Sequence, residues 1–253
     1  MGFAVFGKSH WQDINILHMT EVKDIHVYDL EECVIASGYA MTTEPYDYAA
    51  LRKNPAELKR AFDRCQRLVI ASKTTDVHCH DNFLTGIRVS FDIKYPQYLT
   101  PEMQRYHFYD IVTSQSKMHR LSKMKLRTCT NAYTSPEVIR VAQEQIDNYQ
   151  NIVNDTTIDH FEYWTCDGDT QRLVSVTGRE ESLYAAFMVM VNSCPLGLEL
   201  WMRVSTNYKQ LQTIYHQRIH HRLKEDWGAI TNMIQNLPHF KEFIAPDPLP
   251  SPL

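Results

Sequence analysis

Residues 206–227, TNYKQLQTIYHQRIHHRLKEDW, decide how the rest of the chain is interpreted. Apolar side chains recur in this stretch every three or four residues, which is typical of the buried face of an amphipathic helix. These side chains are Leu211, Ile214, Tyr215, Ile219 and Leu223. Asn207 is a residue type that caps helix N-termini well. The stretch therefore predicts one helix that begins at an Asn207 cap and continues to Trp227.

Arg218 lies on the same face as the apolar residues of this helix. Eleven residues separate it from Asn207, and eleven residues make about three helical turns. A permanently charged guanidinium at a buried position needs a partner. Two alternatives follow from the helix alone: an internal ion pair or a position at the helix edge, or contact with an anionic or carbonyl-rich ligand.

Length and charge exclude several classes of protein. The 253 residues are enough for one sizeable core, and no linker is apparent. We therefore predict a single domain over residues 1–244, followed by a proline-rich tail over residues 245–253. The net charge of -4 and the pI near 6.3 argue against a general nucleic-acid binder. Small anionic ligands remain possible.

The six cysteines show neither a CxxC pair nor regular spacing, so neither a disulfide framework nor a zinc ribbon is expected. No apolar run has the length that spans a bilayer, and no export signal is apparent. We expect a cytoplasmic protein in a reducing compartment, without a membrane segment.

Periodicity and turn residues predict the remaining elements. Strands are expected over residues 25–28 and 83–94, and a hairpin over 160–177 with Asp167-Gly168 near its turn. Helices are expected over residues 30–36, from Pro55, over 102–112, over 135–153 and over 180–193. The last of these is apolar almost all round and should be central. Together they predict an α+β fold, with a mixed or antiparallel sheet and helices packed around it.

Two polar segments are candidates for chemistry. The loop DVHCHDNF carries His78, His80 and Asp81, which suits a solvated loop, a loop that contacts a cofactor, or a metal site. No metal is predicted, since no further ligands can be identified. The segment over residues 105–120 concentrates basic and hydroxyl side chains that bind phosphate oxygens, although a solvated helix end has the same composition.

Two blocks of the sequence together resemble flavin-dependent thymidylate synthases. In that family a strand ending in a Phe-x-x-Lys-Ala-Pro-like phrase is followed, nine residues after the proline, by Arg-His-Arg and then by a stretch ending in Ser-x-Arg-Tyr. Here FDIKYP ends at Pro96, and Arg105-Tyr106-His107 follows nine residues later. Ser116-Lys117-Met118-His119-Arg120 stands where the serine motif is expected.

The second block is the helix quoted first. The family has an Asn-x-Arg-x-Leu phrase, an arginine eleven residues after the asparagine, and a proline twelve residues before it. This chain has Asn207, Lys209 and Leu211 in the phrase, with Arg218 and Pro195 at the two other places. The resemblance covers under half of the chain, over residues 77–120 and 195–240.

The chain also departs from the family pattern. The triplet has become Arg-Tyr-His, and the serine motif has one extra residue. An arginine that contacts the nucleotide in the family falls at Val191, and the family's Phe-Glu-His phrase is missing beside His80. The hairpin over residues 160–177 has no counterpart in the family. These departures leave room for altered chemistry.

The resemblance implies reductive methylation of dUMP to dTMP, with the carbon from methylenetetrahydrofolate, the hydride from reduced FAD, and NADPH to recharge the flavin. It implies that Arg105, His107, His80, Asn207 and Lys209 bind the cofactor. The implied substrate-binding residues are Ser116, Lys117, Arg120 and Arg218, with Arg218 and Ser116 at the catalytic centre. Arg218 would stabilise negative charge that develops on the pyrimidine ring. A homotetramer is implied as well.

Other interpretations stay open. Asn207 could be a helix cap without a ligand. Lys209 could be a solvated charge, and His107 could be a partly buried histidine on a helix. The chain as a whole has two alternatives to a thymidylate synthase. One is a related flavin enzyme that makes another 5-substituted pyrimidine nucleotide, such as a hydroxymethylated one suited to a phage genome. The other is a nucleotide-binding homologue without catalysis.

Overall fold

The strands form two separate sheets in the computed structural model, which describes residues 20–74 and 80–246. The strands are β1 (Glu21–Tyr28), β2 (Arg88–Pro96), β3 (Tyr109–Ser114), β4 (His160–Asp167), β5 (Thr170–Thr177) and β6 (Glu199–Asn207). One sheet has the order β1-β2-β6-β3, and β4 pairs with β5 in the other. Both β1–β2 and β4–β5 are antiparallel.

Helices pack with these mainly antiparallel strands without a regular strand–helix alternation, which makes the fold α+β as predicted. They are α1 (Leu30–Ala36), α2 (Tyr48–Arg52), α3 (Pro55–Thr74), α4 (Phe83–Gly86), α5 (Thr100–Met103), α6 (Lys117–Arg120), α7 (Pro136–Asn154), α8 (Arg179–Asn192), α9 (Tyr208–Arg218) and α10 (Lys224–Gln235). A π-helical turn follows at Phe240–Ile244, and short 3-10 turns lie at Tyr39–Met41, Gln97–Leu99, Leu121–Lys123 and Leu126–Thr128. None of the helices in the described residues combines the length and apolar composition needed to cross a bilayer.

Local sequence signals explain the elements that were predicted well. Helix α1 has the predicted bounds, α3 begins at Pro55, and α7 begins after a Ser135 cap whose hydroxyl accepts from the Glu137 amide. The hairpin turns at Gly168, whose φ of 57° is a conformation that glycine adopts without strain. Strand β1 contains the predicted strand over residues 25–28.

Three predicted elements are wrong in part. The strand expected from Phe83 begins only at Arg88, because residues 83–86 form the helical turn α4. The helix expected over residues 102–112 ends at Met103, and Tyr109 begins β3. The β-branched residues Ile111, Val112 and Thr113 favour a strand once a neighbouring strand is present.

The helix expected over residues 208–227 divides into α9 and α10. Helix α9 ends at Arg218, and a new helix begins at Lys224, so Trp227 belongs to α10. No residue between them breaks a helix by itself, as proline would. The single buried face that was predicted is divided between the two helices. Leu211 and Ile214 are fully buried on α9, and Trp227 and Ile230 are fully buried on α10.

The residues group into two compact units. Of the described residues, unit 1 comprises 95–99 and 114–200, and unit 2 comprises 20–74, 80–94, 100–113 and 201–246. The single domain over residues 1–244 stays a prediction, and most of the tail, residues 247–253, lies outside the described residues.

Unit 1 is built on α7, α8 and the β4–β5 hairpin. Its described core has two clusters, one around Leu121, Leu126 and Ile146, the other around Ile152 and Phe161. The expectation that α8 is central is wrong, because Tyr184 on it is 66% exposed. A cavity of about 600 Å³ opens beside that face of the helix.

Unit 2 contains most of the four-stranded sheet. The predicted alternation along β2 is confirmed: Val89, Phe91 and Ile93 are fully buried, while Arg88 is exposed. Helix α9 follows directly on β6 and contacts α10, α4 and the π-helical turn. A strand therefore fixes the first residue of α9, and three helical elements pack against the helix.

Candidate functional site

Asn207 sits at the junction of β6 and α9. Its backbone is extended, and its side-chain oxygen accepts a hydrogen bond from the Gln210 amide at 2.8 Å. The predicted cap is confirmed. The capping bond uses the oxygen of the side-chain amide, so the NH₂ group is the part that would serve a ligand.

Lys209, on the first turn of α9, is held by a buried carboxylate. Its ammonium lies 2.5 Å from Asp81 Oδ2, and the Asp81 side chain is 1% exposed. A second, longer contact at 3.4 Å reaches Gln212 Oε1. Lys209 is therefore an oriented cation, and the alternative of a merely solvated charge is wrong.

His80 precedes Asp81 in a turn and is exposed. It consequently lies next in sequence to the residue that holds Lys209. His78 lies outside the described residues. Among the residues that the structure describes, no group of three or more His, Cys, Asp or Glu side chains is arranged to hold a metal ion.

The segment between α5 and β3 contacts α9 through its backbone and one side chain. The Phe108 amide donates to Gln210 Oε1 at 3.2 Å, and the Tyr106 hydroxyl donates to Gln217 Oε1 at 3.2 Å. Thr206, just before the cap, donates to the Phe108 carbonyl at 2.6 Å. The two sequence blocks that resemble the family, about a hundred residues apart, thus meet along one helix.

Within that segment the side chains alternate in exposure. Tyr106 is 8% exposed and faces α9, whereas Arg105 and His107 are exposed. The alternative that His107 is a partly buried residue on a helix is wrong, since residues 104–108 form a turn. Arg105 and His107 remain accessible to a ligand.

Arg218, at the last turn of α9, has an internal partner. Its Nη1 lies 3.1 Å from Glu102 Oε2, and its Nε donates to the Tyr106 hydroxyl at 2.7 Å. The guanidinium also stacks 4.5 Å from the Trp227 ring centroid. Its side chain is 15% exposed.

These contacts correct the argument from buried charge. The sequence left an internal ion pair and a ligand as alternatives for Arg218, and the structure contains the ion pair. Trp227 Nε1 donates to the same Glu102 oxygen at 3.1 Å, so α10 completes the network. A ligand is not needed to neutralise Arg218, and its contact with the pyrimidine stays a prediction without that support.

Ser116, Lys117 and Arg120 lie in unit 1, whereas the residues on α9 lie in unit 2. The Ser116 hydroxyl caps the short helix α6 by accepting from the His119 amide at 3.3 Å. Lys117 is half-buried and Arg120 is exposed. Neither forms an ion pair with any of the described residues. Both cations are thus available to an anionic group.

Val191 stands where the family has an arginine that contacts the nucleotide. It packs against the apolar cluster of Leu121, Leu126 and Ile146. An arginine there would be a charge among hydrocarbon groups, which is costly without a partner. A valine suits these apolar surroundings.

Sequence reasoning missed four residues of this region. Glu102 was identified only as the first residue of a predicted helix, and Asp81 only as a member of a polar loop with His78 and His80, without Lys209 as its partner. Lys73 and His216 were not identified: the Lys73 ammonium lies 3.1 Å from His216 Nε2, and it donates to the Ile244 carbonyl at 3.1 Å. The two Lys73 contacts join residues 143 and 171 positions apart, and the Lys209–Asp81 contact joins residues 128 positions apart, so no local pattern indicates them.

Comparison with solved structures identifies similar folds. A crystal structure of the flavin-dependent thymidylate synthase ThyX from Helicobacter pylori, complexed with FAD and dUMP, matches over 92% of this chain and 100% of that chain. The TM-score is 0.55 and the sequence identity is 13%. A second structure of that enzyme with FAD and dUMP, at 2.31 Å resolution, matches over 91% and 98%, with the same TM-score and identity.

At this identity the likeness shows a fold similar to ThyX. No protein-family model and no curated protein matches the chain.

Proposed function

We propose that the chain is a divergent flavin-dependent thymidylate synthase that converts dUMP to dTMP. The convergence of the two sequence blocks on α9 supports this proposal most directly. Arg105-Tyr106-His107 and Asn207 were matched to the family separately; the Tyr106 hydroxyl donates to Gln217 on α9, and Asn207 caps the same helix. The similarity of the fold to enzymes solved with FAD and dUMP agrees with it.

The donor set around α9 fits FAD. Lys209 offers an oriented ammonium, Arg105 and His107 are exposed donors, and Asn207 offers an amide. Phosphate and carbonyl oxygens are natural acceptors for these groups. When bound, the reduced flavin supplies a hydride, which NADPH replaces. The residues of this chain orient the cofactor, together with His80 beside Asp81.

The substrates of this proposal are dUMP and methylenetetrahydrofolate. Ser116, Lys117 and Arg120 would bind dUMP through a hydroxyl and two cations that form no ion pair with described residues. Arg218 already donates from Nε and Nη1 within the chain. A pyrimidine carbonyl would therefore accept a hydrogen bond from the other terminal nitrogen, Nη2. Glu102 and Trp227 hold the guanidinium in place for this contact.

The flavin content of the purified protein tests the proposal. A protein that is yellow, or that takes up FAD with a flavin absorbance band, supports it. A second step incubates the protein with dUMP, methylenetetrahydrofolate, FAD and NADPH and determines the product by mass. Formation of dTMP is the expected result, while a hydroxymethylated nucleotide would assign the chain to the related enzyme.

A nucleotide-binding homologue without catalysis is the second candidate. Two observations favour it: the internal ion pair of Arg218 with Glu102, and the apolar surroundings of Val191. It predicts that dUMP binds to the protein but that no product forms with the complete set of substrates. A colourless protein that fails to take up FAD would select this candidate over both enzymes.

A further inference from the structure

A cationic cluster lies along the end of α3, the first and third turns of α9, and the π-helical turn. Lys73, on the last turn of α3, donates to the Ile244 carbonyl and lies 3.1 Å from His216 Nε2. His216 is itself 3.0 Å from the same carbonyl. The backbone of the π-helical turn thus fixes both side chains.

A buried carboxylate anchors the other side of the cluster. Asp81 is 1% exposed, and its Oδ2 lies 2.5 Å from the Lys209 ammonium. Its second oxygen, Oδ1, is buried and has no hydrogen-bond partner among the described residues. The carboxylate is closed to solvent and therefore fixes the Lys209 ammonium from the protein side, whereas the Lys209 side chain itself is 34% exposed.

Charges in this cluster are unbalanced. Burial lowers the pKa of Lys73, Asp81 acts to raise it, and the positive charge of Lys209 lowers it further. Two ammonium groups therefore act on one carboxylate. Burial also lowers the pKa of His216, as does the positive charge of Lys73. An anionic group placed between the cations would relieve this repulsion.

We propose that Lys73 and Lys209, with His216 beside them, bind a phosphate group of FAD. The inference rests on the proposed function and adds Lys73 and His216 to its cofactor site. Ammonium groups form strong, charge-assisted hydrogen bonds with phosphate oxygens.

FAD suits the cluster better than dUMP does. Lys209 is two residues from Asn207, both on the part of α9 matched to the cofactor. A dinucleotide is also long enough to carry phosphates away from its reacting ring, so a phosphate site needs no catalytic group beside it.

The test measures flavin affinity by quenching of flavin fluorescence, with no turnover required. Lys73→Gln removes the charge and keeps much of the side chain. We expect the Kd for FAD to rise about tenfold or more, as for loss of one hydrogen bond to a charged group. The Kd for riboflavin, which has no phosphate, should not change. Lys59→Gln is the matched control, since Lys59 is on the same helix and pairs with Asp63 at the surface.

Each outcome decides the inference. Equal FAD affinity in Lys73→Gln and the unmodified protein overturns it, and so does an equal loss for FAD and riboflavin, which would indicate a structural effect. If the unmodified protein takes up no flavin at all, the proposed function fails. A calorimetric titration with pyrophosphate then tests separately whether the cluster binds an anion. Binding of pyrophosphate that Lys73→Gln abolishes supports an anion site; no binding overturns it.

Discussion

Glu102 accepts hydrogen bonds from two side chains near the C-terminal end of α9. Its Oε2 accepts from Arg218 and from Trp227, and His221 Nε2 is 3.7 Å away. Its side chain is 25% exposed, so the pair with Arg218 is partly screened by water. Glu102 nevertheless links three separate segments of unit 2. We therefore expect it to contribute more to the stability of the protein than an isolated surface ion pair would.

Replacement of Glu102 by glutamine should destabilise the protein by about 1–2 kcal/mol, because a partly buried guanidinium loses its counter-charge. Urea unfolding followed by tryptophan fluorescence measures the change. Glu44→Gln, at an exposed loop position, should unfold at the same urea concentration as the unmodified protein. Identical midpoints for Glu102→Gln and this control would show that the ion pair contributes no stability.

The buried thiol of Cys65 gives a prediction with a definite pH dependence. Burial raises its pKa to about 11, although the Ser37 hydroxyl at 3.1 Å and the Arg64 charge lower it in part. At pH 8 about one thiol in a thousand would be ionised, so labelling of Cys65 by a thiol reagent should be slow. The rate should rise on the order of tenfold for each pH unit up to pH 11, since the thiolate is the reactive form.

Mass spectrometry of the labelled protein measures these rates at individual cysteines. The exposed Cys166 should be modified first, and Cys166→Ser should remove that fast phase. Modification of Cys65 as fast as Cys166 at pH 8 would contradict the burial of this thiol.

At the scale of elements, α9 owes its position to its two ends. The strand β6 and the Asn207 cap define the first residue, and the Tyr208 amide donates to the Ile87 carbonyl, next to β2. At the other end Arg218 and Trp227 join α9 to α10. The helix is thus held at both ends by contacts that its own sequence makes with distant segments.

The Asn207 side chain has two predicted tasks, a cap and a cofactor contact, and substitutions separate them. Asn207→Ala should cost about 1 kcal/mol, because the Gln210 amide loses its partner. Asn207→Ser retains a capping oxygen and should keep the stability. If the amide also binds FAD, Asn207→Ser should weaken flavin binding in a fluorescence titration. Unchanged affinity in this variant would leave Asn207 as a cap alone.

For the whole molecule, the proposed function implies a tetramer. Light scattering on the eluting protein should give about four times the chain mass of 29.6 kDa. Activity should then decline on dilution as subunits dissociate. A monomer mass with full flavin binding would contradict the tetramer and leave the cofactor site intact.

The predictions that agree with the structure come from sequence signals that act over only a few residues. Caps, prolines and the Asp-Gly turn act within a few residues, so the starts of α3, α7 and α9 and the β4–β5 turn were predicted. Periodicity also identified the buried face of β2. The short segments failed: residues 83–86 and 104–108 have weak local preferences, and neighbouring elements decide their conformation.

The sequence by itself determined the α+β class, the Asn207 cap and the starts of α3, α7 and α9, because these depend mainly on neighbours along the chain. The two blocks meet along α9 through contacts between residues about a hundred positions apart, so the packing of unit 2 decides their meeting. Only the tertiary structure decided which charges are paired. Glu102 lies 116 residues from Arg218, and Asp81 lies 128 residues from Lys209. A local pattern shows that a charge needs a partner, but the partner is selected by the packing of the whole unit.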